Sequence, residues 1–251
     1  MHYNYRKIQS LLILSWFEIK RKYTRSILGP LWITLSTIIL ISGLSFVFVS
    51  LFNIPLRETM PWIAIGVIIW NFISMLIDEA TEVFNKPILI NIKISCLELA
   101  IITVFKNFII LGHNVVIILG IVVIFQLPVT INYFYLLYGL LILFVNSISV
   151  TIIFGMLCLR YRDFILIIKN LLYLLFLITP IFWMPSILTN NRMILADFNI
   201  LFQIIQTVRD PLLGNALSTY NLSYTSIFSF VLIVICYFIY NKFKNRIVYW
   251  I

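Results

Sequence analysis

Six long apolar segments constrain this chain more than any other feature of its sequence. Each is close to the roughly 20 mostly apolar residues that a helix needs to cross a hydrocarbon layer about 30 Å thick. Charged side chains make up 11% of the 251 residues, too few to cover a soluble domain, which averages about 25%. We therefore predict an all-α integral membrane protein with six transmembrane helices, at residues 31–52, 61–77, 99–125, 133–159, 164–184 and 224–240.

The distribution of basic residues predicts how these helices are oriented. The chain has 18 lysines and arginines against nine acidic residues, a net charge of +9, and most of the basic residues fall on one side of the six-helix arrangement. Arg57, Arg192 and Arg209 fall on the other side, whereas Lys106 and Lys169 lie within spans. Because basic segments remain in the cytoplasm, both termini are predicted to be cytoplasmic. Short basic clusters between apolar runs also argue against nucleic acid as a partner.

Two further segments are predicted to lie along the membrane surface. Residues 1–30 place apolar and charged side chains on opposite sides of a helix, which is typical of an interfacial helix against anionic lipid. It could be an orienting anchor, or take part in gating or docking. Residues 193–208 are shorter and more polar than the spans, which predicts a re-entrant or surface helix on the outer side. The chain is thus read as one domain, with the surface helix and turn at 1–30, the bundle at 31–240 and a cytoplasmic tail at 241–251.

The one concentrated group of acidic residues, Asp78, Glu79 and Glu82, follows the second span. Carboxylates near a membrane surface could hold a metal ion and a diphosphate, as in enzymes that act on polyprenyl phosphates. No second acidic cluster faces them in the sequence, so we favour a solvated or partner-contacting helix face. A short helix here could dock into a groove on a soluble partner. With only two histidines in the chain, we predict neither a metal site nor a catalytic residue.

Two groups of side chains within the spans are candidates for a transport path. The first occupies an arc of about 120° on the third span and comprises Thr103, Lys106, Asn107, His113 and Asn114. Because charge is costly in lipid, this face should meet other helices or water. The second group recurs at helical spacing on the fifth span and comprises Tyr173, Phe176, Pro180 and Trp183. These side chains could pack on sugar rings, or on neighbouring helices and lipid.

Five short motifs occur in a characteristic order along the chain. The most specific is YTRSILGPLW at residues 23–32, where the first span begins. The others are Gly66 with WNF at 70–72, RYRD at 160–163, TPIF at 179–182 and RDPLLG at 209–214. The ordered set resembles the permeases of type 2 ABC exporters, which move lipid-linked O-antigen, teichoic acid or capsular polysaccharide. The resemblance extends over nearly the whole chain.

The resemblance implies a half-transporter in the bacterial inner (cytoplasmic) membrane. In this family the membrane domain forms a homodimer and is driven by two copies of a separate ABC ATPase, which binds ATP and Mg²⁺. The implied cargo is an undecaprenyl-linked glycan, with O-antigen the leading candidate. The chain has no nucleotide-binding loop of the G-x-x-x-x-G-K-[ST] kind, so no cofactor is expected on it.

The resemblance also implies roles for particular residues. The coupling region that docks the ATPase would comprise Asp78, Glu79, Glu82, Val83, Phe84, Asn85, Lys86 and Lys93. The interfacial gate helix would include Trp16, Arg21, Arg25, Gly29 and Pro30, and the exit helices would lie within residues 186–223. The translocation path would draw on Tyr173, Phe176, Trp183, Lys106, Asn107, His113 and Asn114. One departure is that residues 94–98 read ISCLE, where the family usually has a Phe-Pro-Arg-Glu-like stretch.

Three other functions remain open on the sequence. An ABC exporter of a small molecule or drug is the nearest, and no sequence feature separates it from a glycan exporter. A secondary transporter is expected to place ion-binding carboxylates near the middle of the membrane, where none of the nine acidic residues falls. A membrane-embedded glycosyl- or acyltransferase would have to use Asp78, Glu79 or Asp163.

Overall fold

Helices account for almost all of the regular structure in this chain as far as it is described. The computed structural model describes residues 2–22, 29, 31–85, 94–126, 131–185, 196–247 and 250. These residues form eight helices and no strand, so the all-α prediction is confirmed for them. The helices are α1 His2–Lys22, α2 Leu31–Phe52, α3 Leu56–Glu82, α4 Cys96–Phe125, α5 Tyr133–Arg160, α6 Asp163–Ile178, α7 Ile200–Leu212 and α8 Thr219–Phe243.

Five of these helices, namely α2, α3, α4, α5 and α8, are long and apolar enough to cross a membrane. They coincide with five of the predicted spans, and α3 and α8 extend beyond their predicted bounds at both ends. In the most apolar stretch of α3, 72% of the residues are buried inside the protein, whereas the share is 17% in α2 and in α8. The chain is thus a multi-pass membrane protein in which α3 is the central helix, and α2 and α8 present apolar side chains outward.

The remaining predicted span, at residues 164–184, is shorter in the structure. Helix α6 has 16 residues, which corresponds to about 24 Å at 1.5 Å per residue, less than the hydrocarbon thickness of about 30 Å. Pro180 disfavours a helical backbone at the preceding residue, and Thr179 is extended, with φ −76° and ψ 135°. The prediction of a continuous helix to residue 184 is therefore wrong, and a sixth crossing stays a prediction.

Helix α7 lies in the segment predicted to be re-entrant or interfacial. The Asn199 side chain caps it by accepting hydrogen bonds from the backbone N–H groups of Leu201 and Phe202, at 3.0 and 3.2 Å. Most of its side chains are buried, and it packs against α3, α5 and α8. A helix in this segment is confirmed from Ile200 onward, and it continues to Leu212, beyond its predicted end.

Two buried apolar clusters divide the bundle along its length. The smaller one includes Leu11 of α1, Phe84 after α3, Leu99 of α4 and Ile247 after α8. We call this the basic end, because Lys20, Arg21, Arg160 and Lys242 are exposed on the same helix ends. The larger cluster fills the remainder of the bundle up to α7, and we call that side the opposite end. Which end faces the cytoplasm stays a prediction.

Candidate functional site at the two ends of α3

A buried ionic triad at the basic end joins three helices. The ammonium of Lys106 on α4 lies 2.8 Å from a carboxylate oxygen of Glu79 on α3 and 3.2 Å from one of Glu18 on α1. The Lys106 side chain is 9% exposed, so it does not reach out to water. The Asn107 amide also donates to Glu79, at 2.8 Å. The acidic group after the second span and a lysine within the third are therefore partners, which sequence reasoning missed.

The triad matters because a buried charge is stable only with its partners. Removing one member of a buried ion pair leaves an uncompensated charge and costs about 3–5 kcal/mol. Lys106 holds two carboxylates from two other helices, so it fixes the end of α3 and helix α1 at the same point of α4. A displacement of the α3 end would consequently act on α1 as well.

A second ionic contact, on the outside of α3, is more exposed. The ammonium of Lys169 on α6 lies 3.2 Å from Asp78 and 3.2 Å from Glu82. These two carboxylate side chains are 53% and 58% exposed, so they remain accessible to a partner. Exposed pairs of this kind contribute little stability, about 0–1 kcal/mol. The three acidic residues therefore fall into two sets, with Glu79 inside and Asp78 and Glu82 outside.

The other predicted docking residues are also divided between interior and surface. Val83 and Phe84 are fully buried and Asn85 is exposed. Phe84 packs on Gly155 of α5, where an added Cβ would come within 2.7 Å of the ring. Val83 and Phe84 thus anchor the end of α3 in the bundle instead of presenting side chains to a partner. Lys86 and Lys93 lie outside the described residues.

The polar arc on α4 faces neighbouring helices over most of its length. Thr103, Lys106, Asn107 and Asn114 are buried, whereas His113 is exposed. Asn114 accepts a hydrogen bond from the Thr34 hydroxyl of α2 at 3.3 Å. These contacts are those expected of helix packing, and a role for the arc in translocation stays a prediction.

Helix α1 packs on α4 along a narrower face than its apolar pattern indicates. Leu11, Ser15 and Ile19 are buried, and the Ser15 hydroxyl donates to the carbonyl of Ile102 at 3.1 Å. Trp16 is 55% exposed and Arg21 is exposed. Gly29 has φ +57°, a left-handed conformation that favours glycine at the turn before α2. Arg25 and Pro30, the other predicted gate residues, lie outside the described residues.

The aromatic group predicted on the fifth span does not form a stripe on one helix. Tyr173 is 76% exposed, whereas Phe176 packs inward on Trp70 and Phe182, with ring centroids 5.7 and 5.3 Å apart. Pro180 and Trp183 follow the end of α6. The predicted geometry is therefore wrong, because the helix that would align these residues stops at Ile178.

A buried arginine near the opposite end of α3 was not predicted. Arg209 of α7 is fully buried and donates to the carbonyl oxygens of Pro180 at 3.2 Å and Ile181 at 3.0 Å. Its guanidinium carbon lies 4.0 Å from the centroid of the Trp62 ring of α3. Gly66, one turn further along α3, leaves room for it, since an added Cβ would collide with the guanidinium.

Burial alters the pKa of this arginine and of the aspartate next to it in the chain. Burial lowers the pKa of Arg209 to about 9, so the side chain is still charged at neutral pH. Burial also raises the pKa of the adjacent Asp210 to about 6. Contact with the indole ring compensates part of the lost hydration of the guanidinium, a cation–π interaction of about 2 kcal/mol when desolvated.

Gly66, the TPIF motif and the RDPLLG motif, far apart in the sequence, meet at this arginine. All three belong to the ordered set on which the resemblance depends, but their order along the chain does not indicate that they meet.

No protein-family model matches the chain, and a search of curated proteins found no match. Across the described residues no group of three or more His, Cys, Asp or Glu could hold a metal ion.

Proposed function

We propose that this chain is the membrane permease subunit of an ATP-driven exporter of lipid-linked polysaccharide, with O-antigen the leading cargo. It would work as a homodimer with two copies of a separate ABC ATPase in the bacterial inner membrane, with both termini in the cytoplasm. ATP and Mg²⁺ would bind to the ATPase, and the chain itself would catalyse no reaction. The undecaprenyl-linked glycan would pass outward between the two subunits.

One observation carries this proposal, namely that α3 makes a specific polar contact near each of its ends. Its 27 residues extend over about 40 Å. At the basic end Glu79 holds Lys106, beside the exposed Asp78 and Glu82. Toward the opposite end Trp62 and Gly66 enclose Arg209 of α7, which lies in the region of the proposed exit. A single buried helix therefore connects the proposed docking surface with the proposed exit.

The same contacts favour transport over an embedded polyprenyl-phosphate enzyme. In such an enzyme Asp78, Glu79 and Glu82 would have to bind a metal ion that in turn holds the diphosphate, but each has a carboxylate oxygen within 3.2 Å of a lysine ammonium. At Glu79 a metal ion would have to displace the buried Lys106 ammonium, and breaking a buried pair costs about 3–5 kcal/mol. No contact in the structure favours a small-molecule cargo over a glycan.

The test uses a strain in which the gene for this chain is deleted and then restored on a plasmid. We expect loss of long-chain surface polysaccharide on deletion, and its return with the natural chain. The double variant Asp78→Lys/Glu82→Lys should fail to restore it and should no longer co-purify with the ABC ATPase. Asp163→Lys, an exposed carboxylate at the start of α6, is the matched control and should behave as the natural chain. A deletion strain that still displays its polysaccharide would refute the cargo, and co-purification of the double variant at the natural level would refute the docking surface.

A further inference from the structure

A cavity of about 600 Å³ lies between α3, α4 and α5 toward the opposite end, with α7 along one side. This volume is within the range of ligand-binding cavities, about 300–1,000 Å³. Its walls are apolar apart from two residues, and include Ala64, Ile68, Ile118, Leu119, Leu136 and Val208. A cavity with walls of this kind favours apolar molecules over water.

The cavity opens sideways, toward the region that lipid would occupy. Val115 and Leu119 line it and are 42% and 58% exposed. Val116 and Val123, on the same exposed side of α4, are apolar as well. An apolar chain in the membrane interior can therefore reach the cavity without crossing a polar surface.

The depth of the cavity corresponds to one leaflet. On α3 its lining extends from Arg57 to Ile69, a rise of about 18 Å at 1.5 Å per residue. Half of a hydrocarbon layer about 30 Å thick is about 15 Å. An acyl chain of ordinary membrane length would thus extend from Arg57 and Glu58 to the level of Ile69.

The two charged residues of the lining stand together at the mouth. Arg57 and Glu58 begin α3 and are exposed. The Arg57 guanidinium donates to the carbonyl oxygen of Gln126 at 3.3 Å, which holds it near the end of α4. Arginine forms strong, geometrically matched hydrogen bonds with phosphate, and a carboxylate beside it suits an ammonium group.

We propose that this cavity is a binding site for a zwitterionic phospholipid. One acyl chain occupies the cavity, the phosphate binds Arg57 and the ammonium group faces Glu58. Such a lipid fills the space between α3 and α4 and supports the wall on which α7 packs. The site does not depend on the proposed transport function, and its test requires neither ATPase nor glycan.

The experiment uses the purified full-length chain in nanodiscs that contain phosphatidylethanolamine with a photoreactive diazirine on one acyl chain. After irradiation and digestion, mass spectrometry locates the labelled residues. We expect labelling of Ala64 and Ile68, which are buried from bulk lipid and reachable only through the cavity. Leu119→Trp should reduce that labelling about tenfold by filling the opening, whereas Val116→Trp, on the same exposed side of α4 but outside the cavity, should leave it unchanged.

The headgroup contact is tested with an exposed variant that leaves the core intact. Arg57→Gln should weaken retention of phosphatidylethanolamine, measured by native mass spectrometry, about tenfold. Unlabelled phosphatidylethanolamine should compete with the probe better than phosphatidylglycerol, which has no ammonium group. Labelling confined to outward-facing residues such as Val116, or equal labelling of the two Trp variants, would overturn the cavity site. Equal competition by the two lipids would overturn the zwitterionic headgroup.

Discussion

The two ends of the bundle each bury a basic side chain, but they compensate its charge in different ways. Lys106 at the basic end is held by carboxylates from two other helices, so its partners are flexible side chains. Arg209 near the opposite end is held by two backbone carbonyls, an indole ring and a gap at Gly66. Charged side chains can change partners when helices shift. The backbone carbonyls and the gap at Gly66, which we call the Arg209 cradle, accept the guanidinium in one position only. The comparison separates a junction held by charged side chains at the basic end from one held by backbone carbonyls and a glycine at the other.

The largest expected effect comes from filling the space beside Arg209. Gly66→Val places a side chain where the guanidinium and the Ile181 carbonyl lie, which should lower the free energy of unfolding by about 4 kcal/mol through overpacking and a displaced charge. Thermal unfolding in detergent measures this change. Gly43→Val is the matched control, because no atom lies within 4 Å of a Cβ at Gly43. Similar losses for the two variants would contradict a fixed cradle at Gly66.

The next effect comes from removing the charge at the centre of the ionic triad. Lys106→Met removes the buried cation that Glu18 and Glu79 share, which should cost about 3 kcal/mol. The triple variant Glu18→Gln/Glu79→Gln/Lys106→Met should recover most of that loss, since it neutralises the two carboxylates together with the cation that they share. Chemical denaturation of the three proteins in the same detergent gives the comparison. A triple variant that is less stable than Lys106→Met would show that the charges are not coupled.

A smaller effect depends on pH and concerns Asp210. Its pKa is raised from 3.8 to about 6 in the folded chain, so folding favours the protonated acid. The stabilisation is complete below pH 3.8 and is lost as pH rises through 6. We expect the free energy of unfolding to fall by about 1 kcal/mol over this range, because solvent screens a side chain that is only partly buried. We expect the natural chain to lose stability relative to Asp210→Asn between pH 4 and pH 7, followed by thermal unfolding. A constant difference between the two proteins over that range would refute the shift.

The smallest effect separates the inner and outer ionic contacts at the basic end. Lys169→Met removes the partner of Asp78 and Glu82, but all three side chains are at least 36% exposed. The expected loss is therefore about 0.5 kcal/mol, and it should diminish in high salt. Unfolding of this variant beside Lys106→Met provides the measurement. A loss as large as that of Lys106→Met would contradict the division between a buried triad and an exposed pair.

The sequence predicts the spans better than the site because the two depend on different information. Apolar length is a local property, so α2, α4 and α5 begin and end within three residues of their predicted bounds. The end of α6 was also encoded locally, in Pro180, but the apolar run beyond it suggested a longer helix. Hydropathy alone therefore overestimates a span that contains a proline near its end.

The polar contacts depend on how distant helices pack, which one sequence does not show. The pairing of Lys106 with Glu79 could have been inferred from the high cost of an unpaired charge within a span, because few acidic residues lie near enough. The contact with Glu18 required the position of α1 on α4. The sequence gives a weaker signal for Arg209, because an arginine in an outer segment is expected to be exposed. Only the structure shows that α7 is buried.

The most direct test of the central claim is transport by the reconstituted protein. The chain is placed in proteoliposomes with an undecaprenyl-linked glycan, with and without its ABC ATPase, and translocation is measured by access of an external glycosidase. We predict translocation only when both the ATPase and ATP are present, and its loss in Asp78→Lys/Glu82→Lys. Translocation by the chain without the ATPase would contradict the proposal that the ATPase drives movement of the glycan by acting on the end of α3.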